Sequence, residues 1–257
     1  MASLQVEFFD SPSAGNDLVL LHGWAMHGGI FATLIERLKP HYRVHCVDLP
    51  GHGLNRESAV PLELSACVDA IADVVPRDAT WSGWSLGGLV ALHAAQSGVA
   101  MQRLVMLCAS PCFVKQANWR YGVSPEIFHD FAQGLRTDWH ATLDRFIALE
   151  AFGSDNAREE LRTLRDQVLA RGAPKPAVLA DGLDVLKQTD LRATLPALQV
   201  PTTWIAGRRD RLVDPRAMQE AAALCAQADV TVIEHAGHAP FLTHGDAVVT
   251  AMTARTA

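Results

Sequence analysis

Six apolar runs of strand length recur along this chain and alternate with stretches of helical period, a rhythm that few architectures accommodate. The runs are "LVLLH" (18 to 22), "YRVHCVDL" (42 to 49), "TWSGW" (80 to 84), "RLVMLCA" (103 to 109), "TTWIAG" (202 to 207) and "VTVIEH" (230 to 235). Between the first three lie "GGIFATLIERLKPH" and "LELSACVDAIADVV". After the third comes "LGGLVALHAAQSG", whose Gly98 suits a helix end. This alternation predicts an α/β fold with a mostly parallel central sheet covered by helices on both faces.

From about 113 to 190 the rhythm changes, and no buried strand is evident. The segment reads as amphipathic helices, among them "DWHATLDRFIALEAF" and "SDNAREELRTLRDQVLARG", the second with Ser154 as N-cap and Gly172 as stop. The expected organisation is a core of residues 1–112 and 191–257, with 113–190 as a helical cap inserted between two strands. "RGAPKPA" (171 to 177) is the expected flexible connection.

Composition narrows the function classes. At 257 residues and 49% hydrophobic, the chain can bury a full core as one body. Lys+Arg 22 against Asp+Glu 28 gives a net charge of -6, the wrong sign for broad nucleic-acid binding. The opening "MASLQVEFFD" lacks a charged n-region with an apolar h-region, and no run reaches the roughly 18 apolar residues of a membrane span. A cytoplasmic monomer without membrane attachment is expected. The five cysteines are scattered with no CxxC pair, which suggests buried thiols rather than disulfides or a metal site.

The chemistry centres on Gly83-Trp84-Ser85-Leu86-Gly87, a G-x-S-x-G motif set between a strand and a helix. A strand that turns into a helix at one residue presents that side chain on a tight elbow, and the glycines make room for it. Reading Ser85 as a mere helix cap leaves those glycines without a purpose. A serine nucleophile needs a histidine base and an orienting carboxylate, which in this arrangement follow it in the order acid, then histidine. His238, in the glycine-bearing loop "EHAGHAPF", is the favoured base and His235 the rival. In "WIAGRRDRLVDP", Asp210 is the favoured acid, because Asp214 precedes Pro215 and reads as a helix N-cap. The backbone N–H of Leu86 is one expected oxyanion donor. The N–H of Trp24, in "LLHGWAMHGG", is the other, with His22 bracing the loop.

The stretches "LVLLHGW", "VDLPGHG", "GWSLGGLVA", "ASPCF", "RFIALE" and "GHAPF" together resemble the α/β-hydrolases. More narrowly they resemble the esterases that cleave the methyl ester of pimeloyl-[acyl-carrier protein] in biotin synthesis. The resemblance implies a serine esterase with Ser85, Asp210 and His238 as triad and no metal or organic cofactor. It also implies that Phe146, Ile147, Ala148, Leu149 and Glu150 form a wall facing the acyl chain, beside Trp24, Ser85, Leu86 and His238. Such esterases commonly carry glutamine where this chain has Glu150. Arg158, Arg162 and Arg165 share a helical face by spacing, and Arg145 lies on the preceding helix. The resemblance implies carrier-protein docking at Arg145, Arg158 and Arg162, although Glu159 and Glu160 could neutralise the stripe. A general carboxylesterase or carbon–carbon bond hydrolase acting on free substrates is the alternative, and a binding protein with a relic triad is a further one.

Overall fold

The structure, a computed structural model, describes residues 3–254 except 12 and 14. Among the described residues, seven strands form one sheet: β1 (Val6–Phe9), β2 (Asp17–Leu21), β3 (Arg43–Val47), β4 (Ala79–Trp84), β5 (Met101–Leu107), β6 (Thr202–Gly207) and β7 (Ala228–Ile233). Their order is β1-β3-β2-β4-β5-β6-β7, and only β1 runs antiparallel to its neighbour. The central strands β4 and β6 are buried at every position, as unbroken apolar runs covered on both faces require.

Helices α1 (Ala32–Leu38), α2 (Leu64–Ala72), α3 (Leu86–Gln96), α8 (Pro215–Ala222), α9 (Pro240–Thr243) and α10 (Gly245–Thr253) accompany the sheet. The four others, α4 (Pro125–Thr137), α5 (Trp139–Ala151), α6 (Ala157–Ala170) and α7 (Pro176–Gln188), all fall between β5 and β6. Those two strands are neighbours in the sheet, so the excursion leaves and returns through a narrow neck. There Leu191 N–H donates to Pro111 C=O at 2.9 Å, and Cys112 bridges to Asp190. Among the described residues, no helix is long and apolar enough to cross a membrane.

Two sequence expectations need correction. β1 was not anticipated: its four residues are half-buried or exposed, so they lack the apolar run of a central strand. Ser154 does not cap α6, which begins at Ala157 after Asn156. Its hydroxyl instead accepts from Asn156 N–H and donates to the Glu160 carboxylate at 2.7 Å. Gly172 does follow the end of α6, at φ +80, where a side chain would be strained. "RGAPKPA" joins α6 to α7 and supplies the first residues of α7.

Candidate active site

β4 hands the chain to α3 at a single residue. Ser85 sits at φ +54, ψ −117, outside the regions open to ordinary side chains. Its N–H is held by Leu107 C=O at 3.1 Å and its C=O by Gly88 N–H at 2.9 Å, so the surroundings enforce the strain. The glycines are sterically required. A Cβ on Gly83 would lie 2.1 Å from the Gly87 carbonyl oxygen, and one on Gly87 would lie 2.4 Å from that of Leu21. Because Leu86 is the first residue of α3, its N–H has no partner within the helix and lies at the helix's positive end.

The loop after β7 brings His238 to the same place. Asp210, just past β6, accepts at Oδ1 from the N–H groups of Leu212 (2.8 Å) and Val213 (2.9 Å). Its Oδ2 meets His238 Nδ1 at 2.7 Å, and both side chains are fully buried. The carboxylate thereby fixes the proton on Nδ1 and leaves Nε2 free as a base. That Nε2 is buried and has no partner among the described residues. The Trp84 indole steadies the histidine loop by donating to His238 C=O at 2.8 Å.

The rival residues lie elsewhere. Asp214 caps α8, accepting from Arg216 N–H at 2.9 Å and pairing with the Arg216 guanidinium. His235, at φ +65, is exposed and pairs with Asp155 at 3.0 Å. His22 braces the loop as expected: Nδ1–H donates to Gly23 C=O and Nε2 accepts from Leu49 N–H, both at 2.8 Å. Burial pushes its pKa down to about 3, so it stays neutral. Gly23 brings the Trp24 loop against the elbow, since a Cβ there would lie 3.2 Å from that of Ser85.

Beside Ser85 is a narrow apolar pocket. Phe113, Phe128, Phe131, Phe146, Leu186 and Leu212 supply most of its walls, and Ser85 is the single polar residue lining it. The expected wall of residues 146–150 needs correction, because successive helical residues diverge by about 100°. Phe146 lines the cavity, whereas Ala148 is exposed and Glu150 is buried away from it. The contributions of α4 and α7 were not foreseen, because helical period marks an apolar face without saying what that face meets. A wider hollow at the far end of the strands, lined by Ala95, Met101 and Pro201, is remote from the serine.

Glu150 has neither carboxyl oxygen hydrogen-bonded and no exposed surface. Burial, reinforced by the charge of Asp210, pushes its pKa well up, so it is held protonated. Unfolded, it ionises near about 4.3. The folded chain therefore retains a proton that the unfolded chain releases, and stability falls as pH rises from that value through the raised one. Glu150→Gln removes the dependence. Urea unfolding is expected to find the two proteins matched near about pH 4 and the variant more stable at neutral pH, by about 1.4 kcal/mol per unit of upward shift. A difference that does not change with pH would refute this.

On the outer surface Arg145, Arg158, Arg162 and Arg165 are all exposed. Arg165 pairs with Asp144 at 3.2 Å. Glu160 does not neutralise the stripe: it is fully buried and accepts from Ser154 and from Thr243 Oγ1 of α9 at 2.8 Å.

A family model for alpha/beta hydrolases matches residues 18–251. The chain belongs to the alpha/beta hydrolase family. The hydrolase is 52% identical over 243 residues to the pimeloyl-[acyl-carrier protein] methyl ester esterase of Stenotrophomonas maltophilia strain K279a, covering 95% of this chain and 93% of that one. It is 51% identical over 238 residues to the protein of the same name from Xanthomonas campestris pv. campestris strain B100, covering 93% and 94%. Among solved structures, an esterase (EaEST) from Exiguobacterium antarcticum superposes with a TM-score of 0.87 at 21% identity, over 97% of this chain and 93% of that one. MenH from S. aureus gives 0.81 at 23%, over 96% of each. At that identity the two structures speak for the fold alone.

Proposed function

We propose that this hydrolase is a serine esterase that cleaves the methyl ester of pimeloyl-[acyl-carrier protein] in biotin synthesis, acting as a cytoplasmic monomer. Identity above half to esterases of that name, sustained over nearly the whole chain and including the four helices between β5 and β6, carries this reading. In the proposed cycle His238 Nε2 takes the Ser85 proton as the hydroxyl oxygen attacks the ester carbonyl. The Trp24 and Leu86 N–H groups hold the oxyanion, and methanol leaves with the proton from His238. Water then attacks the acyl-serine by the same route. Asp210 keeps the imidazole oriented and stabilises its charged form.

Residues 113–190 serve as the cap, and the apolar lining of the pocket beside Ser85 matches the methylene chain of a pimeloyl ester in polarity. The acidic carrier docks on the exposed guanidinium groups of Arg145, Arg158 and Arg162, where charge complementarity favours encounter despite the net charge. Steady-state hydrolysis of pimeloyl-[acyl-carrier protein] methyl ester, dimethyl pimelate and a short activated ester tests the reading. The carrier-bound ester is expected to have the highest kcat/KM by far. Arg158→Glu with Arg162→Glu is expected to shrink that preference about tenfold or more. Equal kcat/KM for carrier-bound and free pimelate esters would make the enzyme a general esterase.

A further inference from the structure

The Trp24 N–H belongs to a strained turn: Ala25 lies at φ +64 and Met26 N–H closes back on Gly23 C=O at 3.2 Å. Such a turn persists where its surroundings over-determine it. Here the surroundings come largely from α5, α6 and α7. The Trp24 indole is fully buried, donates to Leu179 C=O of α7 at 2.8 Å, and packs edge-on against Phe146 of α5 at 4.6 Å. It also lies against the backbone of α7 at Gly182, where an added Cβ would stand 2.7 Å from the indole Cδ1. A glycine in mid-helix costs about 1 kcal/mol relative to alanine, and α7 carries one where the ring needs the space.

A second tether grips the residues just after the turn. His27 Nδ1 accepts from Gly29 N–H, which leaves Nε2–H to donate to Gln167 C=O of α6 at 2.6 Å. The buried Asp48 carboxylate accepts from Gly28 N–H, from Leu54 N–H at 2.7 Å and from Arg171 at 3.1 Å. Arg171, just beyond α6, also reaches Glu7 at 2.6 Å. The loop bearing Trp24 is thus held on one side by α7 and on the other by the end of α6.

We propose that Leu179 and Gly182 of α7, with Gln167 and Arg171 at the end of α6, are positioning residues that aim the Trp24 N–H at the oxyanion. The inserted helices then complete the catalytic site as well as enclosing the acyl chain. This rests on the reading of Trp24 as an oxyanion donor.

The test compares wild type, Gly182→Ala and Arg171→Gln with a short activated ester, which needs neither carrier nor pimeloyl chain. Losing one donor outright costs about 100 to 1,000-fold in rate, so misaiming it is expected to lower kcat about 10 to 100-fold with KM within about twofold. A boronic acid whose adduct with Ser85 places an oxygen in the oxyanion position is expected to bind more weakly by a similar factor. A merely structural role moves the melting temperature and neither of these quantities. By helix propensity alone Gly182→Ala should stabilise α7, which makes a fall in kcat the more telling. If either variant fails to fold, Trp24→Phe, which keeps a ring but loses the bond to Leu179, is measured in its place and is expected to lose kcat and boronate affinity together. Wild-type kcat and boronate affinity in the folded variants would overturn the proposal alone. A wild type that binds the boronic acid no more tightly than the corresponding carboxylic acid would overturn the donor reading with it.

Discussion

Ser85→Ala is expected to lower kcat by at least about 10,000-fold and to abolish the burst of acyl-enzyme, leaving the fold intact. The size follows from Ser85 being the covalent participant: without its oxygen, only binding and oxyanion stabilisation remain. Its backbone makes a second, opposite expectation. At φ +54, ψ −117 the residue carries strain of order 1–3 kcal/mol, which glycine tolerates and alanine does not. Ser85→Gly is therefore expected to be as inactive as Ser85→Ala and yet more stable than wild type by about 1 kcal/mol in urea titration. A Ser85→Gly protein less stable than Ser85→Ala would contradict the assignment of strain to this position.

Asp210→Asn is expected to cost about 10,000-fold in kcat, because the amide donates to His238 Nδ1 and drives the proton to Nε2, where the base is needed. Asp214→Asn, only four residues on, is expected to leave kcat within about twofold. Its work is the α8 cap, and asparagine caps a helix about as well. A pH profile of kcat/KM for each variant separates the two. Comparable losses in both would mean that the acid had been placed on the wrong residue.

This pair also shows what could be read before folding. Asp214 was legible as a cap because Pro215 and an amphipathic stretch follow at once, and Asp210 followed by elimination on the same loop. β2 to β6 were legible because parallel strands inside the sheet carry largely unbroken apolar residues, as in "LVLL" and "TTWIA", and the edge strand β7 because, though half-exposed, it still carries "VTVI". β1 was not, since an edge strand needs no such run. Local pattern also failed wherever the decisive neighbour was remote in sequence. Glu150 reads as a polar position on a helix until α5 is seen to bury it near Asp210. Gly182 reads as a flaw in α7 until the Trp24 ring arrives from 158 residues earlier to occupy the space.

The cavity beside Ser85 offers a single hydroxyl among phenyl and alkyl groups. A methyl ester enters it as a neutral guest. Hydrolysis turns that guest into an acid whose pKa, like that of any simple carboxyl, lies several units below neutral pH. Among the described residues that line it there is no cation to compensate an ionised carboxylate, so hydration in bulk water draws the product outward. Under the proposed chemistry the lining works as a valve: the product's own charge ejects it, and the reverse esterification finds its starting acid already excluded.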